Sequence, residues 1–219
     1  MVTSASYDKT VRLWDTATGA ALQTLVGHSS SVMLVAFSPD GKVVLSASED
    51  TVRLWNAATG EALRTVDIQS KVVTSVAFSS NRKVVAWANS DKSFTLLDAA
   101  TGAILLTFMD LLSPIRLITF SPGNKLVASA SVDRAVRLWN VASGTMVQNL
   151  EGHMDAVQSV VFSPDSKVVT SASSDATIRL WNAATGSALQ IWSGHFGVVD
   201  SIASSPDGKV VASGGMTRH

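Results

Sequence analysis

Three of the four histidines, His28, His153 and His195, recur at one position of a pattern that also repeats Asp8, Asp50, Asp91, Asp133 and Asp175 and the arginines Arg12, Arg53, Arg137 and Arg179. Histidine beside carboxylate is the raw material of a metal centre or of general acid–base catalysis, and histidine beside serine that of a nucleophile. Each of these chemistries needs its groups to converge on one point. The spacing distributes them instead, one set in each period of about 42 residues, so each set belongs to a separate copy of one unit. The sets are therefore expected to be structural, with no catalytic residue, no metal ligand and no cofactor. Serine is abundant, yet no Gly-x-Ser-x-Gly elbow and no Gly-x-x-x-x-Gly-Lys phosphate loop occurs. The arginines stand two residues before each marker tryptophan and read as stems packed against neighbouring units rather than as a basic ring. His219, the last residue, stands outside the pattern.

The elements that must position these groups are short. Arg-Leu-Trp followed by Asp or Asn ends at Asp15, Asn56, Asn140 and Asn182, with a worn copy at Leu96-Leu97-Asp98. The marker positions Trp14, Trp55, Leu97, Trp139 and Trp181 step by 41, 42, 42 and 42 residues. Within the copy from Gly152 to Trp192, residues 157–162 form a β-branched run closed by the turn signal Ser163-Pro164-Asp165-Ser166. Residues 167–173, 177–181 and 188–192 are equally short and are separated by Ser174-Asp175 and by Ala183-Ala184-Thr185-Gly186. Four antiparallel strands per period predict a propeller blade.

Gly27-His28, Ser38-Pro39-Asp40-Gly41 and the run from Asp8 to Trp14 recur at fixed offsets. On these motifs the chain resembles the WD-repeat β-propellers over nearly all its length. The resemblance implies an all-β propeller of four-stranded antiparallel blades, as a single domain over residues 1–219. Four blades are expected to be complete and a fifth composite, assembled from the partial repeats 1–28 and 195–219. The rival expectation is a fragment of a larger, typically seven-bladed, ring. The resemblance further implies a hydrogen-bonded chain within each blade. Its members are His28, Ser46, Asp50 and Trp55 in the second copy, Ser129, Asp133 and Trp139 in the fourth, and His153, Ser171, Asp175 and Trp181 in the fifth. His195 is expected to join Asp8 and Trp14 through Ser4 or Ser213. The physical reason stands beside the resemblance: a buried aspartate is costly unless donors such as histidine, a hydroxyl and the tryptophan ring N–H satisfy it.

Three copies depart from the pattern. The third keeps Asp91 but has Gln69, Trp87 and Leu97 for His, Ser and Trp, so apolar packing is expected to replace its polar chain. The fourth has Leu111 at the histidine position, which leaves an acceptor of Asp133 for water or backbone. In the second, Asp50 and Trp55 are five residues apart instead of six, a deficit that threatens a register slip.

Lysine plus arginine equals aspartate plus glutamate at 17 each, so no broad basic field collects nucleic acid or anionic membrane. Apolar runs are far shorter than a membrane span, and the start Met1-Val2-Thr3-Ser4-Ala5-Ser6-Tyr7-Asp8 lacks the charged opening and apolar run of a signal peptide. With no cysteine, the cytoplasm is the expected compartment. Function is then expected where equivalent exposed positions differ between copies. The resemblance places these on one face of the propeller, three and five residues after the histidine site and just before the turn aspartate. They are Ser31, Met33 and Glu49; Val72, Thr74 and Ser90; Pro114, Arg116 and Val132; Ala156, Gln158 and Ser174; and Val198, Asp200 and Tyr7. Met33, Arg116, Val132 and Tyr7 have the character of interface anchors. The expected function is a noncatalytic scaffold or adaptor binding proteins or peptides through this face and the rim, within a signalling or assembly complex. The chain is expected to be a monomer if the ring closes and to associate through strand edges if it stays open. The repeats also resemble those of fungal NACHT-type signalling proteins and of mitochondrial-division adaptors, which implies a fission-adaptor role as one alternative. A hydrolase with its site at the central channel is another, although the channel positions Val35, Val76 and Val160 are apolar.

Overall fold

A computed structural model describes residues 1–68, 72–109 and 113–216. Gln69, Leu111 and His219 lie outside the described residues. Among the described residues the regular elements are strands, arranged in six antiparallel sheets. The first sheet has three strands, β1 (Val2–Ala5), β2 (Thr10–Trp14) and β3 (Ala21–Val26). Four four-stranded sheets follow in chain order. They comprise β4 (Val32–Phe37), β5 (Val43–Ser48), β6 (Thr51–Asn56) and β7 (Ala62–Asp67); then β8 (Val73–Phe78), β9 (Val84–Asn89), β10 (Phe94–Asp98) and β11 (Ile104–Phe108). Next come β12 (Ile115–Phe120), β13 (Leu126–Ser131), β14 (Val136–Asn140) and β15 (Met146–Leu150); then β16 (Val157–Phe162), β17 (Val168–Ser173), β18 (Thr177–Asn182) and β19 (Ala188–Ser193). The last sheet pairs β20 (Val199–Ser204) with β21 (Val211–Gly215). These are propeller blades, four of them complete. The chain divides into two compact units, Met1–Thr107 and Phe108–His219.

The turns are built by local side-chain bonds. Between β4 and β5 the Ser38 hydroxyl donates to Asp40 at 2.7 Å and accepts from the Val43 N–H at 2.9 Å, while Asp40 accepts from the Lys42 N–H. The same bonds recur at Ser163 and Asp165, and at Ser205 and Asp207. The asparagine ending each Arg-Leu-Trp-Asn run accepts from the two N–H groups that follow in the next turn, as Asn56 does from Ala58 and Thr59.

The short spacing from Asp50 to Trp55 does not slip the register. Ser46 faces Arg53 across β5 and β6, just as Ser129 faces Arg137 and Ser171 faces Arg179. The deficit is absorbed in the turn, because the full-length turns place the residue after the aspartate in the left-handed region, with φ 73° at Arg134 and 67° at Ala176. That residue is the one missing between Asp50 and Thr51. Removing a strained non-glycine position shortens the turn and leaves both strands in phase.

Apolar faces pack in clusters within each unit. In the first, Trp55, fully buried, joins Val11, Leu13, Leu25, Val32 and Val44. A second cluster gathers Leu45, Leu54, Val85, Trp87 and Leu97. In the second unit Val157, Val160, Val169 and Trp181 pack with Val136, Leu138 and Leu150. Val160 is buried in the last of these clusters, while Val35 and Val76, half-buried, pack against the other two. Neighbouring sheets are also stapled near one end. Gln23 donates to the Ala58 carbonyl, Arg64 to that of Ala100, and Gln148 to that of Ala184.

Candidate functional site

Two sets of residues compete for a functional reading, the polar chain inside each sheet and the variable positions at the strand ends. The polar chain is clearest in the β16–β19 sheet. The Trp181 ring N–H donates to the Ser171 hydroxyl at 2.8 Å, which lies 2.8 Å from His153 Nε2, and His153 Nδ1 lies 2.9 Å from Asp175. Asp175 also accepts from the Met154 and Thr177 N–H groups and from the Thr177 hydroxyl. Burial pulls the Asp175 pKa upward, but these donors outweigh it and hold the carboxyl down at about 2. Burial depresses the pKa of His153 despite the carboxylate beside it, so the ring is neutral at pH 7. Protons therefore point one way, from Trp181 through Ser171 and His153 to Asp175.

Serine, histidine and aspartate in that order have the connectivity of a hydrolytic triad. Here they cannot act as one. Ser171 is fully buried, and its oxygen already accepts the Trp181 ring N–H, so it is not presented to a substrate carbonyl.

The β4–β7 sheet varies this chain. Trp55 donates to Ser46 at 2.7 Å, and Ser46 meets His28 Nε2 at 2.6 Å. His28 Nδ1 then faces the hydroxyls of Ser48 and Thr51, both at 2.9 Å, and Ser48 donates to Asp50 at 2.5 Å. The expected direct contact of Asp50 with His28 is thus replaced by a relay through Ser48. The shortened turn displaces the carboxylate, which takes Ser29 and Ser30 as further donors. The Ser48 hydroxyl, ahead of the pull of burial, holds the Asp50 pKa below the ordinary value. Burial, with Arg53 nearby, lowers the His28 pKa to about 4.

In the β12–β15 sheet Trp139 donates to Ser129 at 3.0 Å. Asp133 accepts the Ala135 N–H at 3.3 Å, and the Arg137 guanidinium takes the place of the missing histidine, gripping the carboxylate with bonds of 2.7 and 3.1 Å. Burial raises the Asp133 pKa, but this fork outweighs it and the net shift is downward. The first sheet behaves alike, with Trp14 on Ser4 at 2.8 Å and Arg12 within 3.5 Å of Asp8. In the sheets where a histidine is present, the arginine lies over the tryptophan instead, Arg53 at 5.5 Å from the Trp55 ring centroid and Arg179 at 5.9 Å from that of Trp181. The repeated arginine is thus more than a packed stem: it is the alternative partner of the turn aspartate. Gly27 and Gly152 complete the histidine-bearing arrangement, since φ of 154° and 146° suits glycine and a Cβ would press on Arg53 or Arg179.

The last sheet holds a partial chain, His195 Nε2 to Ser213 at 2.8 Å. Ser4 thus serves Trp14 while Ser213 serves His195. In the β8–β11 sheet Trp87 and Leu97 are buried together, and Asp91 accepts from the Ser93 hydroxyl and N–H.

The variable positions lie at the other kind of site, the strand ends beside these aspartates. One backbone bond repeats: Ser90 N–H to the Val72 carbonyl, Val132 to Pro114, and Ser174 to Ala156. In these three copies it brings two of the three positions together. Gln158 joins its group by donating to the Ser174 hydroxyl at 2.7 Å. Ser31 reaches the Tyr7 carbonyl at 3.4 Å. In the first unit Tyr7, 76% exposed, Met33, Glu49, Val72 and Ser90 are exposed, and in the second unit Arg116 and Asp200 are. Thr74 turns inward to the Ala88 carbonyl, and Ala156 is buried. Pro114, Val132, Gln158, Ser174 and Val198 are half-buried.

Three exposed side chains escaped the sequence reading. Met216 donates its N–H to the Val198 carbonyl and so holds the position before the turn aspartate in the last copy, the place assigned to Tyr7. Phe196 and Met154, 89% and 73% exposed, directly follow His195 and His153. Comparing the residue after each histidine, Ser29, Met154 and Phe196, would have marked it as variable.

The profile of the family described as "WD domain, G-beta repeat" matches residues 1–15, 19–56, 112–140, 144–182 and 186–219, which together exceed half the chain. The longest unmatched stretch contains β7–β11, where Trp87 and Leu97 stand in for the serine and tryptophan. Among curated proteins, the chain is similar to the F-box-like/WD repeat-containing protein TBL1X of Mus musculus, at 57% identity over 42 residues, 19% of this chain and 8% of that one. It is similar to nuclear distribution protein PAC1 of Tuber melanosporum (strain Mel28), at 49% over 49 residues, 22% of this chain and 11% of that one. Coronin-7 of Mus musculus matches at 44% over 50 residues, 23% of this chain and 5% of that one. The chain thus matches about a tenth or less of the length of these relatives.

Proposed function

Because the chain belongs to the WD domain, G-beta repeat family, whose domains generally bind proteins or peptides, we propose that it is a noncatalytic scaffold whose strand-end positions recognise protein or peptide partners. One observation supports the reading most. A single backbone hydrogen bond holds equivalent positions in successive copies, while the side chains there differ from copy to copy and several of the largest are exposed. A constant frame with variable side chains is how repeat proteins acquire selective surfaces. Exposed Tyr7, Met33 and Arg116 supply aromatic, adaptable and cationic contacts of the kind that dominate interface energies. A place in a cytoplasmic signalling or assembly complex is part of the same proposal.

The buried serines count against hydrolysis, and no observation favours a fission adaptor over other scaffolds. Affinity capture with Tyr7→Ala and Arg116→Ala variants tests the reading. Partners lost from the variants, with unchanged thermal melts, support it. An unchanged partner set sinks it.

A further inference from the structure

At the opposite ends of the strands in the first unit, a groove of about 500 Å³ opens between the β4–β7 and β8–β11 sheets. Leu63 and Phe78 contribute apolar surface, while Lys42, Arg64, Arg82 and Lys83 set four cations against the carboxylate of Asp40. Two of the cations are peculiar to this groove. Arg82 stands at the turn position occupied elsewhere by Gly41, Asn124, Ser166 and Gly208. Its φ of 65° lies in the left-handed region, where a side chain is disfavoured, and its guanidinium reaches across to Asp40 at 2.7 Å. Arg64 stands where other copies have Gln23, Gln148 and Gln190. It donates to the carbonyls of Leu63, Ala100 and Thr101, which orient its charge without neutralising it. Lys83 also feels Asp98, whose carboxylate is engaged by the Ala100 and Thr101 N–H groups. Even with Asp98 counted beside Asp40, the cations exceed the carboxylates by two. The chain as a whole carries no net charge, so this excess is a local feature.

We propose that this groove binds an acidic peptide segment of a partner protein, in which carboxylates flank a large apolar side chain. The apolar side chain covers Phe78 and Leu63. The carboxylates pair with Lys42, Lys83 and the free edge of Arg82, whose existing bond to Asp40 already shows the geometry a carboxylate takes there. Such pairing gives an affinity that falls with salt.

This site is separate from the strand-end surface proposed above, and its failure leaves that reading standing. The probe is a fluorescein-labelled octapeptide with a central leucine between glutamates, followed by fluorescence anisotropy on the full chain. Binding is expected to weaken at least about fivefold between about 50 and 300 mM salt and to vanish when glutamine replaces the glutamates. Arg82→Gly restores a turn residue found in two other copies, so its melting temperature is expected to hold or rise while peptide affinity drops at least about fivefold. Lys83→Gln is expected to weaken binding in the same direction, and Tyr7→Ala to leave it unchanged. Equal binding of the glutamine peptide, or unchanged affinity in both groove variants, overturns the proposal. So does a groove that takes a single-stranded oligonucleotide and ignores the peptide.

Discussion

Asp133 and Asp175 occupy one repeat position and are satisfied by different groups, an arginine fork in the first case and a neutral histidine in the second. The difference is measurable as a coupling energy. A double-mutant cycle on Arg137 and Asp133, both largely buried, is expected to show coupling of about 1–3 kcal/mol, against under about 0.5 kcal/mol for Arg179 with Asp175. Similar coupling in both cycles would contradict the assignment of alternative partners. A pH dependence follows from His28. Its folded pKa, about 4, lies below the ordinary 6.5, so the unfolded chain binds more protons between those values. The contribution of His28 is complete above pH 6.5 and declines as pH falls toward about 4, by about 3 kcal/mol. His153 acts in the same direction. Urea unfolding between pH 7.5 and 4.5 is expected to show a shallower loss in His28→Asn than in the parent chain. An identical slope would remove the linkage.

Among the elements, the β5–β6 turn shows how a deletion can be absorbed without moving a strand. Its two residues, Glu49 and Asp50, stand where β17 and β18 are joined by three, Ser174 to Ala176, and the relay through Ser48 spans the gap to His28. Inserting a glycine between Asp50 and Thr51 restores the left-handed position at little conformational cost. The carboxylate is then expected to meet His28 Nδ1 directly, and the His28 pKa to rise from about 4, as read by NMR titration. No rise would mean that Ser48, rather than turn length, dictates the arrangement. The β8–β11 sheet makes the complementary point. With Trp87 in the serine position and Leu97 in the tryptophan position, it keeps the strand pairing of its neighbours on apolar packing. Hydrogen-bonded chains are therefore one way to fill the inside of a blade, and a large side chain displaced to the neighbouring strand is another.

For the whole molecule, four complete sheets accompany a three-stranded sheet at one terminus and a two-stranded sheet at the other. A composite fifth blade, with His195 serving the same blade as Trp14, remains our proposal. It predicts a monomeric species of 23.0 kDa in size-exclusion chromatography with one sharp thermal transition. Concentration-dependent oligomers formed through strand edges would count against it. Packing already links the last sheet to its neighbour in the second unit, since Val199 and Ile202 share a buried cluster with Ala172 and Ile178. Destabilisation of either sheet should therefore reach the other through that shared interface.

The repeated four-stranded sheet was legible in the amino-acid order, because strands of five or six residues, their turns and the Trp–Ser bonds all join residues close along the chain. The apolar filling around Trp87 was legible too, since Leu97 has no ring N–H to donate and Trp87 no hydroxyl to receive one. The partner of Asp133, the relay at Ser48 and the exposure of Phe196 and Met216 were not. Residue type dictates which groups can donate or accept, but which of them arrives within about 3 Å depends on turn length and side-chain packing. The groove joining Arg82 to Asp40, 42 positions apart, belongs to the same class. Sequence alone thus determined the unit and its repetition, through local hydrogen bonds and strand patterning. Only the tertiary structure decided which charges meet and which side chains face solvent, because both depend on how one sheet packs against the next.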